Sequence, residues 1–332
     1  MSIGVHKLEY EVVQGWERLP EGWSFVEVAG VAVDSKDRVY VFNRGAHPVI
    51  VFDMDGQFLN AWGEGVFRNP HGIYIDRDDH LYLADNHDHT LRKCTTDGKI
   101  LLTLGEPNQA ADTGFQMGKA PVSRAGGPFN GVTNAAVGLN GEIYVSDGYG
   151  NCRVHKFSPD GKLIKSWGTP GRGQGKFNLP HSIAVDSAGK VYVADRENSL
   201  LQIFTSDGEF IQQWDWVSRP DDIFIDEQDN LYIAELGWVV KSKDVPHYKL
   251  MRQPPVGHSP IARVTICDPD GKIQTQVGGE NPLLPGNFIA PHGIWADSRG
   301  DFYVGEVIKT SGAIEQFSPF PCFAFQKFKR SR

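Results

Sequence analysis

Ile183-Ala184-Val185-Asp186-Ser187-Ala188-Gly189-Lys190-Val191-Tyr192-Val193-Ala194-Asp195 consists of two short apolar-alternating runs around a polar turn. β-Branched and aromatic residues at period two, bounded by Ser-Ala-Gly-Lys, are the pattern of a β-hairpin. The same core, apolar-x-apolar-Asp, a few polar or Gly positions, then apolar-Tyr-apolar-x-acidic, recurs at Val31 to Asn43, Ile73 to Asp85, Ala135 to Asp147, Ile223 to Glu235 and Ile294 to Glu306. Its tyrosines, Tyr40, Tyr82, Tyr144, Tyr192, Tyr232 and Tyr303, are spaced by 42, 62, 48, 40 and 71 residues.

A second hairpin signature follows five of the six copies, as in Val51-Phe52-Asp53-Met54-Asp55-Gly56 running to Trp62-Gly63 and Lys156-Phe157-Ser158-Pro159-Asp160-Gly161 running to Trp167-Gly168. Asp-Gly suits the positive φ of a tight hairpin turn. Four strands per copy at such periods define a propeller blade, so the sequence predicts an all-β fold, a six-bladed β-propeller of four-stranded blades in a single domain over 1–332. The sixth copy has Phe317-Ser318-Pro319-Phe320 in place of Asp-Gly, and the alternating stretch Leu8 to Trp16 precedes the first copy. An N-terminal strand completing the last blade would close the ring and remove an exposed edge. Two segments, Glu106 to Pro128 and Gly237 to Pro260, fall outside the pattern and are expected as insertions over one face.

Composition narrows the setting. The 332 residues carry 41 acidic and 33 basic side chains, a net charge of -8, and the only basic run is Lys327 to Arg332. Nucleic acid is a poor partner for such a chain, because phosphate binding needs clustered Lys and Arg. The first seven residues contain no apolar core of the signal-peptide type, and no apolar run approaches about 18 residues, so no membrane partner and a cytoplasmic location are expected. Cys94, Cys152, Cys267 and Cys322 form no metal-type pair and no dense disulfide framework. Cys94 and Cys267 stand where other blades have Phe52, Phe157 and Phe204, and read as core thiols.

Five residues before the repeat Asp, or its equivalent, stand Ala29, His71, Thr133, His181, Asp221 and His292 in copies one to six. That position opens the innermost strand, which lines the channel, so three imidazoles fall on alternate blades at roughly 120° about the axis. Pro-His-Gly at a blade start could serve a turn alone, but three histidines with none on the intervening blades point to a metal site. Three neutral imidazoles with an open position are a catalytic zinc pattern, and ligand softness also admits other divalent transition metals.

A second ring follows the acidic residue that ends each second strand: Arg44, Asn86, Gly148, Arg196, Leu236 and Val307, with Tyr149 adjoining it. Each of these is equally an ordinary surface arginine or a packing tyrosine when taken alone. If they face the metal, two opposed guanidiniums form a carboxylate clamp, and the partner is a small anionic substrate.

At these residues the chain resembles the peptidyl-α-hydroxyglycine α-amidating lyases, which are propellers of NHL-type repeats. The resemblance runs through all six copies and is sharpest at Phe42-Asn43-Arg44-Gly45, at Asp147-Gly148-Tyr149-Gly150-Asn151, at Val193-Ala194-Asp195-Arg196-Glu197-Asn198 and at the three histidine segments. It implies a catalytic zinc on His71, His181 and His292, with Arg44 and Arg196 gripping the substrate carboxylate and Tyr149 taking a proton. The implied reaction cleaves an N-substituted α-hydroxyglycine to an amide and glyoxylate without consuming water. A phenol ordinarily ionises near pH 10, so this role calls for positive charge beside Tyr149, expected from the metal and Arg44.

The chain also departs from the family. Gly293 follows His292 where the family has an Asp that helps hold a structural calcium, and the disulfide cysteines of secreted relatives are missing, with Gly150 and Tyr192 near their places. No part resembles the copper monooxygenase that supplies the peptide substrate, so a different small α-hydroxy amide or a ureidoglycolate-like carbinol is the expected substrate. Two other readings remain open. A calcium-dependent lactonase would use Glu, Asn and Asp about the axis, where Asp221 and Asn134 lie. A non-catalytic NHL interaction module would tolerate loss of the histidines. His87 and His89, alternating as on one strand face, form a competing metal group, whereas His47, His155, His247 and His258 read as surface or loop residues.

Overall fold

A computed structural model describes residues 8–116, 122–238, 258–259, 261–311 and 322–331. Blade one comprises β2 (Val28–Val33), β3 (Val39–Asn43), β4 (Val49–Phe52) and β5 (Phe58–Trp62), preceded in the chain by β1 (Tyr10–Val13). Blade two follows with β6 (Pro70–Ile75), β7 (Leu81–Asp85), β8 (Thr90–Cys94) and β9 (Ile100–Leu104). Blade three has β10 (Val132–Val137), β11 (Ile143–Asp147), β12 (Arg153–Phe157) and β13 (Leu163–Trp167). A short parallel pair, β14 (Thr169–Pro170) and β15 (Lys176–Phe177), leads to blade four: β16 (Pro180–Val185), β17 (Val191–Asp195), β18 (Leu200–Phe204) and β19 (Phe210–Trp214). Blade five is β20 (Pro220–Ile225), β21 (Leu231–Glu235), β22 (Arg263–Cys267) and β23 (Ile273–Val277).

The last blade holds β24 (Pro291–Ala296), β25 (Phe302–Glu306) and β26 (Phe325–Arg330), and its outer strand is β1 in antiparallel register, Tyr10 opposite Arg330. The six antiparallel sheets are the predicted six-bladed propeller. The Phe317 to Phe320 segment lies outside the described residues, as do most of the 237–260 insertion and part of the other.

The repeat pattern has direct physical causes. Each register tyrosine is at most 2% exposed. In four blades its hydroxyl donates to the repeat Asp: Tyr40 to Asp34, Tyr82 to Asp76, Tyr192 to Asp186 and Tyr303 to Asp297, at 3.0 to 3.1 Å. The other carboxylate oxygen of the same Asp caps the turn, as Asp186 does for the amides of Ala188 and Lys190. Blade three has Gly138 in place of Asp, and there Tyr144 turns to the Ser206 carbonyl instead.

The Trp that ends an outer strand lies against the Asp-Gly turn of the next blade. A Cβ on Gly98, Gly208 or Gly271 would meet Trp62, Trp167 or Trp214 within 2.8 Å, and all three glycines have φ between +77° and +90°. Only glycine combines that backbone with so close a ring. Six apolar clusters fill the spaces between neighbouring blades, the last joining Val31 and Val39 of blade one to Tyr303 and Phe325 of blade six. Cys94 and Cys267 are buried in this core, and burial pushes each thiol up to about 12.

Candidate active site

The residues of the channel ring are placed by a bulge. In every blade the pairing of the two inner strands slips at the same point: between Val28 and Gly30, Pro70 and Ile73, Val132 and Asn134, Pro180 and Ser182, Pro220 and Asp222, and Pro291 and Gly293. The bulged residues include Ala29, His71, Thr133, His181, Asp221 and His292, and a bulge re-aims its side chain out of the pleat. Proline precedes all three histidines as the first strand residue, where a missing N–H is tolerated.

The acid ending each second strand anchors the turn from which the ring residue emerges. Asp85 accepts from the amides of Arg68 and Asn69, Asp195 from Asn178, and Glu306 from Ile289 and Ala290, two or three residues before the histidine. Asp147, Glu235 and, as its amide counterpart, Asn43 do the same in the other blades. Burial pushes Asp195 and Glu306 up to about 7.

His71, His181 and His292 are at most 3% exposed, and one ring nitrogen from each lies within 4.8 Å of the others. Nδ1 of each faces a backbone carbonyl of the following blade: Thr133 at 2.7 Å, Asp221 at 2.7 Å and Ala29 at 2.6 Å. A carbonyl only accepts, so Nδ1 carries the proton and Nε2 keeps its lone pair. Burial, reinforced for His71 by His292, Arg44 and Arg196 and for His181 by Arg196 and the other two imidazoles, holds both rings far below the usual histidine range. Burial, then Arg44, lowers His292 to about 3. Three converging neutral imidazoles with fixed tautomers fit a divalent transition metal.

Tyr149 Oη lies 3.1 Å from Nε2 of both His71 and His181. The cation beside it is Arg196, centred 5.6 Å from the phenol ring, rather than the expected Arg44. Arg44 stands beside blade two, its Nε donating to the Pro70 carbonyl at 2.8 Å and its Nη1 to Glu27 at 2.7 Å and Thr310 at 3.1 Å. Arg196 donates through Nε to Glu197 at 3.0 Å and through Nη1 to Asp221 at 2.9 Å. Burial disfavours the Arg196 charge, but Asp221, Tyr149 and Glu197 outweigh it and keep the guanidinium above its ordinary range. Among the described residues, Nη2 of both arginines makes no hydrogen bond, so each retains a donor for an anion.

Glu27 escaped the sequence reading and Glu197 entered it only as part of a matching segment, with no role, since a carboxylate outside the repeat registers carries no periodic signal. Asp221 did carry one, its place in the ring.

One level below the imidazoles, Asp222 accepts from Asn134 Nδ2 at 2.9 Å, Ser182 Oγ at 2.6 Å and the amide of Ile294 at 2.9 Å. A Cβ on Gly293 would fall 2.5 Å from the Gly30 Cα. With no room for a side chain at 293, and with donors on both Asp222 oxygens, these residues do not fit the structural calcium of the lyase family.

His87 and His89 sit in the turn 86–89, not on a strand face; His87 is exposed and His89 accepts through Nδ1 from the Gly131 amide at 3.0 Å. They join none of the metal-type groups found among the described residues. His155, read from sequence as a surface residue, is 0% exposed on β12 and contacts Ser166 at 2.7 Å and Asp147 at 3.3 Å. His258 reaches the Val217 carbonyl at 2.9 Å, and His247 lies outside the described residues.

The fold and the site define a six-bladed propeller with a three-histidine, metal-type centre on its axis. The NHL repeat model matches residues 67–94 and 177–204. Human NHL repeat-containing protein 3 is 32% identical over 289 residues, covering 81% of this chain and 78% of that protein. The chain belongs to this family of NHL repeat-containing proteins.

Its resemblance to the amidating lyases also holds: Drosophila melanogaster peptidyl-alpha-hydroxyglycine alpha-amidating lyase 1 is 35% identical over 175 residues, 48% of this chain and 29% of that protein. The chain thus spans under a third of that relative. Among solved structures, a gluconolactonase from Xanthomonas campestris superposes with a TM-score of 0.58 at 13% identity, covering 93% of this chain and 87% of that one, a likeness of fold alone. Among the described residues no helix is long and apolar enough to cross a membrane.

Proposed function

We propose that the chain is a metal-dependent carbon–nitrogen lyase that cleaves a small N-substituted α-hydroxyglycine, or a closely related α-hydroxy amide, to an amide and glyoxylate. The observation that carries this reading is the meeting of three imidazoles with the Tyr149 hydroxyl, flanked by Arg196 over the Tyr149 ring and by Arg44 on the Pro70 carbonyl beside His71.

His71, His181 and His292 would hold zinc or another divalent transition metal, which when bound supplies Lewis acidity toward the substrate hydroxyl. The chain's own residues account for the rest. Nη2 of Arg44 and of Arg196 receive the carboxylate, and the buried acids behind them fix both guanidiniums before substrate arrives, which lowers the ordering cost of binding. Tyr149 takes the hydroxyl proton as the C–N bond breaks, and a proton returns to the departing amide nitrogen, so no water enters the balance. The Arg196 guanidinium over the Tyr149 ring helps hold the phenol hydroxyl beside Nε2 of His71 and His181.

A lactonase centre would draw on carboxylate and amide oxygens. Of the two residues that reading would use, Asn134 spends its amide on Ser182 and Asp222, and Asp221 Oδ1 is held by Arg196 beside His181; three converging imidazoles would have no part in such a centre. The test is glyoxylate release from α-hydroxyhippurate and related α-hydroxy amides by metal-reconstituted protein, with lactone hydrolysis assayed beside it. Glyoxylate formed in proportion to bound metal supports the lyase. Lactone turnover without glyoxylate, or no metal bound, sinks it.

A further inference from the structure

His71 and His292 each present Nδ1 to a carbonyl whose residue offers the ring nothing else. His181 differs: its Nδ1 lies 2.7 Å from the Asp221 carbonyl and also 3.0 Å from Asp221 Oδ1. That same Oδ1 accepts from Arg196 Nη1 at 2.9 Å. Asp221 is 0% exposed, and its Oδ2 has no hydrogen-bond partner.

A carboxylate neutralising a buried arginine often meets the guanidinium fork with both oxygens. Here the second arm of the fork, Nε, goes to Glu197, and Asp221 meets the guanidinium with Oδ1 alone, the same oxygen that stands 3.0 Å from His181 Nδ1. Its Oδ1 therefore faces the imidazole and the arginine together. A carboxylate on the far nitrogen of a ligating histidine fixes the ring and raises its strength as a ligand. Whatever draws Arg196 away from Asp221, a substrate carboxylate above all, leaves more of that oxygen to His181.

We propose that Asp221 is a positioning residue that couples the metal affinity of the three-histidine centre to Arg196. The inference rests on the proposed metal-dependent reading and touches neither substrate nor metal directly. In the resting chain Asp221 is shared; when Arg196 is engaged elsewhere, His181 becomes the stronger ligand.

The experiment is a zinc titration of the full chain in competition with a chromogenic chelator, for the parent, Asp221→Asn, Arg196→Gln, Arg44→Gln and the Asp221→Asn/Arg196→Gln pair. Asp221→Asn is expected to bind zinc about 10- to 100-fold more weakly. Arg196→Gln is expected to tighten zinc binding beyond Arg44→Gln, which removes an equal charge near the ring without touching Asp221, and the extra gain is expected to vanish in the double variant. Unchanged zinc affinity in folded Asp221→Asn, or equal shifts for the two arginine variants, overturns the coupling while leaving the lyase reading intact. If Asp221→Asn fails to fold, the comparison of the two arginine variants decides alone. A parent chain that binds no zinc removes both readings together.

Discussion

Nδ1 of His292 stands 2.6 Å from the carbonyl oxygen of Ala29, 263 residues earlier in the chain. One hydrogen bond thus joins the last blade to the first and fixes the tautomer of a candidate metal ligand. Ring closure and site geometry are the same event here, so disturbing the seam should disturb the site.

Gly293→Ala tests that link. The new Cβ would lie 2.5 Å from the Gly30 Cα, backbone that cannot step aside. Overpacking of this kind costs about 1–3 kcal/mol. A lowered melting temperature together with weaker metal binding is expected, and an unchanged melting curve would show that the seam has slack.

His71→Ala, His181→Ala and His292→Ala should each abolish stoichiometric metal, since among the described residues the metal-type group at this site consists of these three histidines. Elemental analysis of tag-free protein, with circular dichroism to establish folding, reads this directly. Metal retained by any one of the three folded variants would place the ion elsewhere.

The arginines and the tyrosine should separate kinetically. Loss of one hydrogen bond to a charged group costs about 1.5–3 kcal/mol, so Arg44→Ala and Arg196→Ala should each lower kcat/KM for a carboxylate substrate by roughly 10- to 100-fold. Tyr149→Phe should lower kcat by about 100-fold or more, as loss of a positioned proton acceptor does, while leaving KM nearly unchanged. Near-normal turnover in both Tyr149→Phe and Arg44→Ala would remove the proposed mechanism.

Acid should weaken the metal-free chain through its buried imidazoles. The folded state holds His292 at about 3 against an ordinary 6.5, so below pH 6.5 the unfolded chain binds the proton first. That stabilising contribution is complete above 6.5 and is lost as pH falls toward 3. Denaturant midpoints measured with chelator present should fall more steeply with acid for the parent than for His292→Gln. Parallel slopes would contradict the shift.

The anchor acids can be tested away from the metal. Asp195 accepts from the backbone amide of Asn178 and from the side-chain amides of Asn198 and Gln202, and Arg196 follows it in the chain. Asp195→Ala strips the Asn178 amide of its acceptor and leaves Asn198 and Gln202 only the Gly171 and Lys176 carbonyls; an unmet buried donor costs about 1–3 kcal/mol, so a lowered melting temperature is expected. A stable Asp195→Ala would mean that the turn before His181 holds itself.

Much of this architecture was legible in the chain because its causes are local. Tyr192 and Asp186 are six residues apart and bond to one another, so their pairing repeats as a visible pattern. The alternation of histidine with Ala29, Thr133 and Asp221 was legible for the same reason, since each occupies a fixed offset within its own repeat. His155 was misread because its burial depends on Phe129 and Ser166, which hold no repeat register, and on Asp147, whose place in the repeat does not tell which side chain of the next strand it meets.

The sequence by itself determined the number of blades, the strands within them, and which side chains open the channel, because each follows from the two-residue period of a strand and the demands of a turn. The tertiary structure alone decided that a bulge aims the ring residues at the axis and that the carbonyls of Ala29, Thr133 and Asp221 set the tautomers. It alone decided also that Arg196, not Arg44, lies over Tyr149, and that Asp221 is shared between an imidazole and a guanidinium. Those contacts join residues from different blades. Their distances are set by how six sheets pack around an axis, a relation that no repeat of 40 to 71 residues can state within itself.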